Sequence, residues 1–106
     1  MKTTLLILAT AALAVSLPVH ATGNYEAGKA KSTTCAACHG PDGNSTVASF
    51  PKLAGQHRDY LLQALHEYKT GKRTNPIMGA QVQALSEADM QDLAAYYESS
   101  YSGPAN

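Results

Sequence analysis

The sequence predicts an all-α domain. Two stretches repeat apolar residues with the 3.6-residue period of a helix, no stretch alternates apolar and polar residues as a strand would, and turn-forming residues crowd the segments between them. At 106 residues the chain has room for one domain. Its formal net charge of +0 lacks the basic excess of nucleic-acid-binding domains. A composition 44% apolar and 15% charged excludes a disordered tail.

The N-terminus comes first. Lys2 precedes an apolar run from Leu5 to Leu17, broken only by Thr10 and Ser16, and then Pro18 and Val19-His20-Ala21. A membrane span needs about 20 apolar residues, so this run is short for one. A basic start, a short apolar run and small residues at a peptidase site predict a secretory signal peptide over residues 1–21, cut after Ala21. The domain is then residues 22–106, and a chain of 85 residues is marginal alone and often recruits a metal, a disulfide or a cofactor. Its charge is uneven, +3 over residues 22–73 and −4 over 74–106. Such an arrangement can orient a protein on a charged partner.

Asn24 is placed to cap a short helix over Tyr25–Lys31 that runs toward the two cysteines. Residues 40–56 read as loop, because Gly40-Pro41-Asp42-Gly43-Asn44-Ser45 is dense in turn formers. From His57 to Lys69, Tyr60, Leu61, Ala64, Leu65 and Tyr68 fall on one helical face, and Gly71 stops the helix. Residues 72–80, centred on Asn75-Pro76, are expected to be loop. A last helix starts at Ser86, with Asp89 in the place of a capping-box partner and an apolar stripe of Met90, Leu93, Ala94 and Tyr97. Gly103-Pro104 ends the order. So much loop on so small a core calls for something else inside.

Cys35-Ala36-Ala37-Cys38-His39 is C-x-x-C-H, the attachment signal of c-type haem. Each thiol adds across one of two vinyl groups, the two-residue spacing sets the sulfurs about a turn apart, and the next residue, His39, can bind iron through its imidazole. Small Ala36 and Ala37 let a flat macrocycle lie against the backbone. A thioredoxin-like dithiol would need a βαβ context, a zinc site a second pair of ligands, and a structural disulfide would leave the adjacent His39 without a role.

The iron's other side needs a ligand if the group is to exchange electrons with little rearrangement. Met90 lies in the helical stripe, where methionine is core filler. His57 and His66 stand among polar residues near helix ends and read as surface histidines. Met78 follows Asn75-Pro76-Ile77 and precedes Gly79, so it is expected in a loop that presents its thioether to a flat cofactor. A His39/Met78 pair is the common c-type choice and raises the potential.

These residues resemble class I c-type cytochromes, and within them the small bacterial c4, c5 and c553 group. The likeness runs through Cys35–Gly43, Phe50-Pro51-Lys52-Leu53-Ala54-Gly55-Gln56, Tyr68–Arg73, Asn75–Met78 and the last helix from Leu85 to Tyr97. It implies a small cytochrome c fold of three to five helices around one covalent haem c. It makes His39 the proximal and Met78 the distal ligand, and gives the Pro51 carbonyl the hydrogen bond from the proximal imidazole. The c4 proteins carry two such units; with one C-x-x-C-H this chain is expected to be a monohaem relative, or one subunit of something larger. Leu53, Leu61, Leu65, Leu85, Leu93 and Tyr97 are expected to wall the haem, and Tyr25 and Tyr96 to pack the first helix on the last.

The function so implied is periplasmic electron transfer, single electrons passing between transient redox protein partners. It involves no catalysis of its own, no small-molecule substrate and no nucleic acid, and the membrane only through partner complexes. The alternative is a cytochrome subunit of a larger oxidoreductase, or a ligand-binding haem protein. A closed sixth position at Met78 favours transfer over ligand binding.

Overall fold

The computed structural model describes residues 5–14 and 23–100. The expected cut after Ala21 and the Gly103-Pro104 stop lie outside the described residues. Among these residues there are five helices and no strand: α1 (Tyr25–Lys31), α2 (Thr33–His39), α3 (Arg58–Thr70), α4 (Pro76–Val82) and α5 (Glu87–Ser99). None is long and apolar enough to cross a membrane.

The starts and stops follow local chemistry. The Asn24 side chain accepts from Ala27 N at 2.8 Å and opens α1. Ser86 and Asp89 form a reciprocal capping box that opens α5. Gly71 ends α3 at φ +80, a left-handed conformation that costs glycine little.

One expectation is corrected. Residues 72–80 are not all loop, and Met78 does not sit in one: Pro76–Val82 form α4, with Met78 in its first turn. Asn75 Oδ1 accepts from the N–H groups of Ile77 and Met78, both at 3.0 Å. Pro76 stands at the first helical position, where its missing N–H would have had no partner anyway and its fixed φ already suits the helix. Asn-Pro here starts a helix instead of stiffening a loop. Gly79 continues that helix.

The core is the seam of α5 with α1 and α3. Leu61 of α3 joins Leu93, Ala94, Tyr96 and Tyr97 of α5 in one buried cluster. The α1–α5 crossing is tight because Gly28 has no side chain: a Cβ there would fall 2.0 Å from the Asp92 carbonyl oxygen. The Tyr25 and Tyr96 rings pack across this crossing with centroids 5.3 Å apart. Lys31 Nζ locks its polar side, 2.7 Å from both Asp89 Oδ1 and Asp92 Oδ2. Met90 is buried in α5, at 3% exposure.

The long connection from α2 to α3 is tied down by its backbone. The Gly43 carbonyl accepts from Leu53 N at 2.8 Å and Ala54 N at 3.1 Å, while Gly55 N donates to the Tyr97 carbonyl at 2.8 Å. Tyr96 Oη donates to the Pro41 carbonyl at 3.2 Å. These bonds hold the segment around Pro51 against the end of α2.

Candidate functional site

A cavity of about 340 Å³ opens between α2, the segment 49–56, α3, the start of α4 and α5. Its size falls within the range of cofactor pockets, roughly 300–1,000 Å³. Cys35, Cys38, His39, Pro51 and Met78 all line it, although they come from three separate parts of the chain. Leu53, Leu61, Leu65, Leu93 and Tyr97 supply much of its apolar wall. Leu85, expected in that wall, packs against the core cluster instead, at the turn before α5. His57, His66 and Met90 are not among the lining residues; His66 Nε2 lies 2.6 Å from Glu87 Oε2.

Helix α2 does the local positioning. Its third, sixth and seventh residues are Cys35, Cys38 and His39, so both thiols and the imidazole come from little more than one turn. His39 is buried, with Nδ1 2.7 Å from the Pro51 carbonyl oxygen. A carbonyl can only accept, so Nδ1 is the donor, and in the neutral ring Nε2 then keeps its lone pair.

Two features of the wall go beyond what the expected site residues implied. Tyr60, Tyr68 and Arg73 line the same cavity as Met78. The Arg73 guanidinium carbon sits 5.3 Å from the Tyr68 ring centroid and 5.9 Å from that of Tyr60. Contacts with Tyr60 first, and then Tyr68, keep this guanidinium protonated well above its ordinary range. The two tyrosines were visible on the apolar face of α3; that the cation after Gly71 folds back onto them was not. The second feature is the buried Tyr97 hydroxyl, which has Cys35 and Ser32 as neighbours but makes no hydrogen bond of ordinary geometry among the described residues. Burial, and after it Cys35, push its phenol above the usual tyrosine range.

The cytochrome c family model matches residues 25–100, which span α1 to the end of α5. The chain belongs to the cytochrome c family. It is 51% identical over 80 residues to cytochrome c4 of Pseudomonas aeruginosa, covering 76% of this chain and 40% of that protein. Reduced cytochrome c4 from Pseudomonas stutzeri superposes with a TM-score of 0.70 at 43% identity, over 73% of this chain and 45% of the other. Thiosulfate dehydrogenase from Marichromatium purpuratum superposes with a TM-score of 0.69 at 35% identity, over 74% of this chain and 19% of the other. The chain spans less than half the length of each of these relatives.

As a c-type cytochrome of the c4 group it carries covalent haem c. The cavity fits that group. It offers two thiols at the attachment spacing, one imidazole whose second nitrogen is already engaged, one thioether and a largely apolar wall.

Proposed function

We propose that the chain is a periplasmic monohaem electron carrier, with Cys35 and Cys38 as the haem attachment points and His39 and Met78 as the axial iron ligands. The domain is residues 22–106, following a signal peptide over 1–21. The observation that carries this reading is the shared cavity: a buried imidazole with Nε2 free and a thioether from another helix line one apolar space. When bound, haem supplies a one-electron iron couple.

The chain's own residues do the rest. The Pro51 carbonyl holds the His39 tautomer and raises the basicity of the other nitrogen. The neutral sulfur of Met78 favours the reduced state more than a second imidazole would. Leu53, Leu61, Leu65 and Leu93 exclude water, which disfavours the more highly charged oxidised centre in the same direction. Ile77, 59% exposed and on the cavity rim, offers an apolar contact for transient redox partners.

The test is spectroscopic. The ferric holoprotein should be low-spin and show the weak far-red charge-transfer band of sulfur-ligated haem. Met78→Ala should abolish the band and Met90→Leu should keep it; the reverse would overturn the ligand assignment.

The likeness to part of thiosulfate dehydrogenase favours a second reading, a cytochrome subunit of a larger oxidoreductase. Gel filtration of the native periplasmic protein separates the two. A carrier elutes at the size of one domain, a subunit with its partner.

A further inference from the structure

Helix α4 carries Met78 yet has only seven residues, far below the ~12–15 needed for a helix to persist alone. Among the described helices it packs against α3 only. Its position is therefore inherited from α3 through whatever ties the two together.

At the C-terminal end of α4, Gln83 Nε2 bridges the carbonyls of Gly79 and Lys69, at 3.1 and 3.4 Å. At the N-terminal end the tie is Arg73. Its backbone N–H donates to the Glu67 carbonyl at 3.0 Å, and its Nε donates to Glu67 Oε2 at 3.3 Å. Its guanidinium lies against Tyr60 and Tyr68. Gln63 Nε2 donates to Glu67 Oε1 at 2.8 Å and steadies the carboxylate from the other side. Only Thr74 separates this clamp from Asn75, whose side chain holds the Met78 amide.

We propose that Arg73 is a positioning residue for Met78: clamped between Tyr60, Tyr68 and Glu67, it sets where α4 begins and so keeps the Met78 thioether in the cavity. The proposal rests on the reading of Met78 as an iron ligand. The clamp needs arginine specifically. A planar, delocalised cation can stack on two rings while its edge donates to a carboxylate, whereas an ammonium is a compact, strongly hydrated point charge.

The experiment uses the ferric holoprotein and imidazole, which can take the iron position only when the methionine has left it. Apparent imidazole affinity then reports the fraction of molecules with Met78 displaced. Arg73→Gln should bind imidazole about tenfold more tightly than the unmodified protein, a factor expected when a stacked and ion-paired contact is lost. Glu67→Gln, which removes the carboxylate's charge and leaves Arg73 in place, should shift affinity the same way by less, and it carries the test if Arg73→Gln does not fold. Lys72→Gln, a neighbouring cation outside the clamp, should bind as the unmodified protein does. Arg73→Lys should behave more like Arg73→Gln than like the unmodified protein. Unchanged affinity in Arg73→Gln and Glu67→Gln, or full recovery in Arg73→Lys, would overturn the clamp. Failure of the ligand reading itself is separate: the unmodified ferric protein would lack the far-red band, or Met78→Ala would retain it.

Discussion

Asn75 holds Met78 by its backbone: the Asn75 side-chain oxygen accepts the Met78 N–H at 3.0 Å, and that of Ile77 at the same distance. One side chain thus satisfies two otherwise unpaired donors of α4 and fixes the first turn, where the thioether originates. Asn75→Ala is expected to destabilise the ferric holoprotein by about 1 kcal/mol, the usual loss for an N-cap. Asn75→Asp should recover most of it. Denaturant midpoints followed at the far-red band would measure both, and an unchanged midpoint in Asn75→Ala would show that Pro76 and packing on α3 suffice.

The cavity sits where a domain of this size would otherwise have core. Cys35→Ala combined with Cys38→Ala removes the proposed attachment points and should leave a chain with little cooperative thermal unfolding. Calorimetry of that protein is the check. A sharp transition would show that the α1–α5 seam around Gly28 and Tyr96 folds without the haem.

Lys31 bridges Asp89 and Asp92 across the α1–α5 crossing. Lys31 first, and then the backbone N–H of Ser86, hold the Asp89 carboxyl down to about 2, from an ordinary value of 3.8. A carboxyl depressed by folding stabilises the native state above its unfolded value, and that stabilisation fades as pH falls through the folded one. The unmodified protein should therefore lose stability between about pH 4 and pH 2, and Lys31→Met should lose less over that window. Melting temperatures of the two holoproteins across that range decide it; parallel acid limbs would mean the triad contributes nothing.

Ile77 is exposed on the cavity rim, and neither Cys35–Cys38 nor Asn75–Leu85 contains a charged residue. Reaction with a physiological partner should then depend only modestly on salt, because the contact itself carries no charge for salt to screen. Ile77→Lys should slow transfer more than Lys72→Ala does. Stopped-flow rates over a salt series would show it, and a steep salt dependence governed by Lys72 would point to a charged docking ring instead.

Several features of this protein were decided by the sequence itself, because they depend on neighbours along the chain. Asn24 and Ser86 cap helices through bonds that span three residues, Gly71 ends α3 by its own φ, and C-x-x-C-H sets two thiols and an imidazole on little more than one helical turn. Asn75-Pro76 was equally local and equally present, but an Asn-Pro pair serves a turn or a helix start, and the choice depends on whether a partner awaits the new helix. That partner is α3, which only the folded chain brings alongside. The Pro51 carbonyl against His39 was implied by the family resemblance and is present at 2.7 Å, whereas the tertiary structure alone moved Leu85 out of the cavity wall and folded Arg73 onto Tyr60 and Tyr68. Each of these is a meeting of side chains or backbone set by how α3 and α5 pack and how the 40–57 connection is tied to Tyr96 and Tyr97, and packing between distant segments leaves no period or spacing in the sequence to read.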